Sequence, residues 1–360
     1  MGIFSSLFER QLVGLDIGVS GIKAVELQGK RDAPRLFAYN RVPLPWDTIS
    51  PDGEIKQRPV VINAIRKLFE AKTFTTKRVA VGASGNAIIT KKIAVQRMSE
   101  AELRDQLYWE AEQYIPFNIN DVNLDFAIVG NSVQQGQNGQ PMMDVLLVAA
   151  KRDYIENLTS LIEDAGLKPD IVDNQSFALG NAFEFNYGHT VQSAGASNVI
   201  IDFGAGSTKI SVVEGDKTTF TRELRQCGIA CTMMLSERLG VPIDQAEKMK
   251  IHEADTEAVD SIVTEYIQGL VDEINRTLDF AITQSPDHSM QGIFVCGGAS
   301  RTYGLVEALE ERLPVPVQPL NPVQNIAGSG KKMSAQAIRE LAYLGAVAIG
   351  LGLRTAGDTG

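Results

Sequence analysis

Cysteine and histidine are both scarce, three of each in 360 residues. Cys227, Cys231 and Cys296 are too few, and odd in number, for a disulfide framework; without a signal peptide they fit a reducing cytoplasm. Cys227 and Cys231 stand four apart, a spacing that can face a metal, but no second pair accompanies them and they read as buried thiols. His189, His252 and His288 share no metal-ligand spacing and read as surface residues. Basic clusters are missing too. Asp and Glu outnumber Lys and Arg by 44 to 34, a net charge of −10, which removes the electrostatic footing for nucleic acid or an anionic membrane surface. No apolar run reaches bilayer length. The opening MGIFSSLFER has one apolar cluster, Ile3 to Phe8, too short for a signal or a span, and Gly2 with Ser6 meets the loose myristoylation pattern. The longest apolar stretch, Leu341 to Leu353, is rich in Gly and Ala and reads as a buried helix. What remains is a soluble chain, 44% apolar, enough for one large or two medium cores. A small molecule or another protein is the expected partner.

The chain contains a short internal repeat. VGLDIGVSGIKAVEL from Val13 lies on VIIDFGAGSTKISVV from Val199, with Asp16 on Asp202, Gly18 on Gly204 and Lys23 on Lys209 at one offset of 186 residues. Each copy reads as strand, tight turn, strand, a hairpin opening its own half. The first half continues with a strand from Arg35 to Val42, a helix from Pro59 and a strand from Arg78 to Val81. Ser84 to about Gly166 has no counterpart and reads as an inserted α+β subdomain. It holds a strand (Ile88 to Val95), a helix capped by Ser99 with Glu102 at capping-box spacing, two strands (Leu124 to Val129, Met143 to Ala149) and a helix from Tyr154 to Ala165. A helix from Ser176 to Phe185 and a small-residue linker, Ser193 to Ser197, lead to the second half. There the hairpin precedes a helical stretch (Ile229 to Thr283), the polar break SPDHS, a strand (Gly292 to Cys296), a helix (Tyr303 to Leu313) and a Pro/Gly-rich loop before the terminal helix. The expected division is 1–83 with 167–193 as the first core, 84–166 as the insert, 197–235 with 290–360 as the second core, and 236–289 as a small helical subdomain.

Three turns carry chemistry. A triphosphate with Mg²⁺ suits backbone N–H groups at tight turns and carboxylates that reach the metal through its waters. Asp16 with Gly18, Val19 and Ser20 offers this once, and Asp202 with Gly204, Ala205, Gly206 and Ser207 offers it again. Glycine lets the backbone approach without a Cβ, and Lys23 can meet a phosphate as a point charge. Either turn alone also fits ordinary hairpin chemistry. The third, Gly297 and Gly298 followed by Ala299 and Ser300, sits where a strand runs into a helix and exposes N–H groups. Glu247 and Lys250, three apart on one helix face, read either as a solvated pair or as part of the same site.

This order of motifs resembles the actin, sugar-kinase and DnaK-type chaperone superfamily. The resemblance implies an α/β, actin-like (ribonuclease H-like) fold, duplicated into two domains with ATP and Mg²⁺ between them. It implies that Asp16 and Asp202 hold Mg²⁺ through water, that Glu247, Lys250 and the Gly297–Gly298 turn flank adenosine, and that Gln175 orients an attacking water. Val19 departs from relatives that carry Ser or Thr after the first-turn glycine, which removes a hydroxyl from the γ-phosphate side. At most a slow ATPase is expected.

The insert resembles that of the division-protein FtsA branch. Within that branch the chain is similar to the PilM family of type IV pilus assembly proteins, through VGLDIG…IKAVEL, WEAEQYIPFNINDVNLDF from Trp109 to Phe126, and VDNQSFALGNAFE. That likeness implies a cytoplasmic protein peripheral to the inner membrane, active in pilus biogenesis and twitching motility. It implies binding of the cytoplasmic N-terminal peptide of PilN in a groove between the first core and the insert. PilO and PilP, and the membrane itself, are then reached only through PilN. Two other readings stay open. An FtsA-like division scaffold would need a C-terminal amphipathic helix, where this chain ends in TAGDTG. A small-molecule kinase would need an acceptor base and pocket, and no such motif is recognisable.

Overall fold

The computed structural model describes residues 11–70, 73–136, 139–189, 195–252, 256–284, 289–329 and 333–358. The Ile3 to Phe8 cluster, Gly2, Ser6, Ser193 and His288 lie outside them, as does most of SPDHS. The first half runs β1 (Val13–Gly18), β2 (Gly21–Lys30), β3 (Ala33–Pro43), α1 (Arg58–Glu70) and β4 (Arg78–Ala83). Next come β5 (Ile88–Gln96), α2 (Glu100–Glu110), β6 (Val122–Gln135) and β7 (Pro141–Lys151), then α3 (Arg152–Asp164), β8 (Lys168–Asn174) and α4 (Gln175–Tyr187). The second half runs β9 (Ala196–Phe203), β10 (Thr208–Glu214), β11 (Lys217–Leu224), α5 (Gly228–Leu239), α6 (Ile243–Ile251) and α7 (Glu257–Gln284). It ends with β12 (Ser289–Cys296), α8 (Leu305–Arg312), β13 (Val317–Pro319), β14 (Ala327–Ser329), α9 (Ala335–Leu344) and α10 (Ala346–Gly352).

The repeat becomes a repeated sheet. One sheet has the order β3-β2-β1-β4-β8 and the other β11-β10-β9-β12-β13, each an antiparallel meander joined to two parallel strands. Nearly continuous apolar runs such as Asn198 to Phe203 suit strands covered on both faces, and β9 is buried along almost its whole length. Register repeats as well: Asp16 lies opposite Lys23, and Asp202 opposite Lys209. The third sheet, β5-β7-β6, packs Ile93, Val145 and Leu147 against Leu103 and Leu107 of α2. Both halves of the Ser99–Glu102 capping box form at the start of α2.

Four details differ from the sequence reading. The second half has a third meander strand, β11, where only a hairpin was expected. Helix α3 buries Leu158, Leu161 and Ile162 in the cluster that holds Val61, Ile65 and Leu68, so it packs with the first core and the insert closes near Lys151 instead of Gly166. It is the crossover helix between parallel strands β4 and β8, as α8 is between β12 and β13. The loop from Pro314 contains β13 and β14, and β14 pairs with β3 as a sixth strand of the first sheet. Finally, the apolar stretch from Leu341 is two helices broken at Gly345. Their second part, α10, packs against β1, β2 and α4, on the first sheet and not within the second core.

Candidate functional site

A cavity of about 620 Å³ lies between the two halves, within the usual range for small-molecule sites. The strands bring the two acidic turns to it. Asp16 and Asp202 stand near the ends of β1 and β9, just before the chain turns, and both residues line the cavity. Asp16 is buried, with Lys23 Nζ donating to its Oδ2 at 2.7 Å. Lys209 is also buried; its Nζ donates to Ser207 Oγ at 3.0 Å and stands 3.9 Å from Glu223 Oε1. Burial alone would lower the Lys209 ammonium, but Glu223, Asp202 and Asp16 outweigh it and hold its pKa raised. Asp202 shows the opposite imbalance. Loss of water raises its pKa most, nearby Asp16 adds to the rise, and Lys209 offsets only part.

The turns approach closely because they are glycine. A Cβ on Gly206 would stand under 3.0 Å from Val19 Cγ2 on the opposite half. Gly297 has φ +87°, and a Cβ there would collide with Asp202 Oδ1 and Phe203 O. Beyond Gly297 the chain enters a short 3₁₀ turn, Gly298–Arg301, and α8 begins only after Gly304 at φ +77°; the expected direct strand-to-helix junction is therefore absent. On α6, Lys250 is buried and donates to Glu247 Oε2 (2.6 Å), Thr232 Oγ1 (2.9 Å) and Gly228 O (3.0 Å). That bonding answers the open question about this pair: Lys250 is enclosed while Glu247 stays partly exposed, and both form part of the cavity wall.

The cavity gathers nearly every residue singled out from the sequence. From the first turn come Asp16, Gly18, Val19, Ser20 and Lys23; from the second, Asp202, Gly204, Ala205, Gly206 and Ser207. Glu247 and Lys250 of α6, Gly297, Gly298 and Ala299 of the third turn, and Gln175 at the start of α4 complete the set. Ser300 is the exception: its hydroxyl donates back to Gly297 O at 2.7 Å, and Arg301 lines the cavity in its place. Sequence reasoning missed Lys209, Glu223, Trp46 and Tyr343, which also line it. Lys209 was findable, being the repeat partner of Lys23; Glu223 sits on the unforeseen β11.

A second cavity, about 650 Å³, adjoins the first. It lies between the insert (Ile88 and Ile89 of β5, Phe117), the first half (Asp52, Asn174) and β11 (Thr221 to Leu224). Strands β5 and β11 are each the outermost strand of their sheet. Gly85, Ser207 and Glu223 line both cavities, and Gly85 N donates to Glu223 Oε2 at 2.9 Å. Among the described residues, Cys227, Cys231 and Cys296 are buried free thiols, His189 and His252 are exposed, and no His/Cys/Asp/Glu group is arranged to hold a metal by itself. No described helix is long and apolar enough to cross a membrane.

Residues 14–356 match the family model described as type IV pilus assembly protein PilM. The structure is similar to that of a PilM-PilN type IV pilus biogenesis complex, with TM-score 0.84 and 27% identity over 98% of this chain and 100% of that one. The cell division protein FtsA of Neisseria meningitidis is 25% identical over 201 residues, 48% of this chain and 47% of FtsA. The chain spans about half the length of the curated relatives it matches. Two more distant structures share the fold alone. They are the ethanolamine utilization protein EutJ of Carboxydothermus hydrogenoformans (TM-score 0.54, 15% identity, 96% of this chain and 90% of that one) and MreB5 of Spiroplasma citri bound to AMPPNP (TM-score 0.50, 11% identity, 92% and 98%). The fold is thus the actin-like duplicated two-domain α/β fold, and the chain belongs to the type IV pilus assembly protein PilM family.

Proposed function

We propose that this chain is the cytoplasmic, actin-like ATP-binding component of the type IV pilus inner-membrane platform. It binds the cytoplasmic N-terminal peptide of PilN and, through PilN, couples its nucleotide state to PilO and PilP. The observation that carries the nucleotide half is the facing pair of acidic turns, each with its own lysine, on one cavity. The donor set fits Mg-ATP. Asp202 is held above the ordinary carboxylate range because its surroundings under-compensate its charge, and a hydrated divalent ion between Asp16 and Asp202 would supply the missing positive charge. Lys23 and Lys209 stand beside those carboxylates for the phosphates, the turn amides of Gly204 to Ser207 and Gly297 to Ala299 add backbone donors, and MreB5, of the same fold, is described with AMPPNP bound. Bound Mg²⁺ would draw charge from the phosphate oxygens. Val19 presents no hydroxyl to them, and Gln175 is a neutral amide on the cavity wall that could orient a water, so hydrolysis is slow or absent.

The peptide half is supported by the second cavity. Two outermost strands border it, and an extended peptide can pair with such an edge while pockets read alternate side chains. The similar structure is named as a complex with PilN.

The test of the nucleotide half is thermal. ATP with Mg²⁺ at a hundredfold excess over Kd should stabilise the protein by about 2.7 kcal/mol. Asp16→Ala and Asp202→Ala should each abolish that rise; full retention in both would overturn the site. A pull-down with the PilN N-terminal peptide, run beside a phosphorylation screen over common acceptors, separates the platform role from a small-molecule kinase. Binding without phosphoryl transfer supports the platform, and transfer without binding supports the kinase.

A further inference from the structure

The loop between β3 and α1 is bound tightly to itself. Ile49 and Ile55 form an antiparallel bridge, Thr48 O accepts from the N–H groups of Lys56 and Gln57, and Thr48, Ile49 and Ser50 are buried. Within it Asp47 has φ +64°, the one positive value among the described non-glycine residues, and its carboxylate is held 2.9 Å from Lys56 Nζ. Aspartate is one of the few residues with a Cβ that enter left-handed backbone as single residues, and here it sets the bend that follows Trp46. The bend has a visible result. Trp46 leaves the first half, lines the main cavity, and donates its indole N–H to Asp244 Oδ1 of the second half at 2.7 Å. Asp244 is in the first turn of α6, and Glu247 and Lys250 follow it at three-residue steps along the face that walls the cavity. Trp46 stands on the loop before α1 and Asp244 on α6, so this contact bridges the two halves beside the cavity.

We propose that Trp46 and Asp244 form a latch on this cavity, parting to admit a nucleotide and re-forming behind it. Trp46 is then a positioning residue that sets how long the ligand stays. A single surface-exposed indole–carboxylate hydrogen bond is weak enough to break on each binding event and strong enough to bias the closed state. The inference rests on the nucleotide reading of the cavity.

The test measures release of a fluorescent N-methylanthraniloyl ATP, bound with Mg²⁺ and chased with unlabelled ATP in a stopped-flow instrument. Trp46→Phe keeps a ring and deletes the donor; Asp244→Ala deletes the acceptor at an exposed site. Each should speed release about five- to tenfold, the equivalent of one ordinary solvent-exposed hydrogen bond, and the double variant should be no faster than either single. The chain has two tryptophans, and Trp109 is 80% exposed on the insert, so Trp109→Phe leaves Trp46 as sole reporter. In that background Mg-ATP should shield Trp46 from acrylamide quenching, and Asp244→Ala should remove the shielding. Release rates within twofold of the parent, or strictly additive variants, would overturn the latch alone. A parent that binds no labelled nucleotide would overturn the nucleotide reading and the latch with it.

Discussion

Gly206 is the point where the two acidic turns meet, and alanine there tests whether the cavity works closed. Its φ is not in the left-handed region, so alanine costs nothing in backbone strain. The obstacle is across the cleft: the new Cβ would fall under 3.0 Å from Val19 Cγ2 and 3.1 Å from Pro51 O. Reaching ordinary carbon–carbon contact requires the turns to part by on the order of 1 Å. Overpacking of this kind costs about 1–3 kcal/mol. Because the overlap exists only while the halves face each other, opening relieves it, and the cost should appear in ligand affinity more than in folding. Gly206→Ala should therefore weaken Mg-ATP binding by roughly five- to a hundredfold while moving the nucleotide-free melting temperature little. Val19→Ala removes the clashing methyl groups and should restore most of the affinity in the double variant, with the Pro51 contact leaving a residue of the loss. Titration calorimetry reads both effects, and Gly130→Ala, at a strand position with no atom within 4 Å of the added Cβ, is the neutral control. Affinity within twofold of the parent in Gly206→Ala, or a loss that Val19→Ala leaves untouched, would refute the close approach.

Asp202→Asn should change sign with ligand. A raised folded-state pKa means that unliganded protein loses stability as pH climbs from the unfolded carboxylate value through the folded one; the asparagine variant should lack that decline, melt no lower than the parent at pH 7 without nucleotide, and gain nothing from Mg-ATP, all readable by scanning fluorimetry across pH. Gly350→Ala would press a Cβ into Ala178 O, backbone that cannot turn aside, and should cost about 3 kcal/mol in denaturant melts and weaken nucleotide binding, since Leu344, Ala346 and Val347 nearby line the cavity. Glu223→Gln keeps an acceptor for Gly85 N but drops the charge beside Lys209; the PilN peptide should then bind with less dependence on ATP, measured as the ratio of peptide Kd with and without nucleotide.

Local chemistry made much of this legible. Asp16 and Asp202 were visible because a strand end, a turn glycine and a lysine recur at one offset, and the capping box at Ser99 needs only four residues to declare itself. The features that escaped depend on contacts distant in sequence. Helix α3 looks like the last element of the insert until its Leu158, Leu161 and Ile162 are seen packing on α1. The break at Gly345 was missed because the stretch carries three glycines, Gly345, Gly350 and Gly352, and composition does not say which of them ends a helix; β11, with the pattern KTTFTREL, alternates too weakly to stand out beside the buried run of β9. Glu223 was lost with it, and Trp46 sits in a loop whose bend at Asp47 no composition rule foretells.

The two halves are joined by an exchange of helices, and this bears on how one site can influence the other. Helix α4 follows the first sheet in sequence yet buries Leu179, Phe183 and Tyr187 against Ile200, Val213 and Phe294 of the second. Helix α10 follows the second sheet yet buries Ala348 and Ile349 with Val25 and Leu27 of the first. They meet where Gly350 lies against the Ala178 backbone, a close contact with no room for a side chain that ties the two halves together at this crossing. Away from the crossing, polar contacts also span the two halves: Trp46 with Asp244, Gly85 with Glu223, and Lys92 and Lys217 with the carbonyls of Gln284 and Ile128. Glu223 turns one oxygen toward Lys209 in the first cavity and the other toward Gly85 at the second. A ligand that alters the angle between the halves must therefore remake the wall that both cavities share, which is the physical requirement for nucleotide and peptide to sense each other.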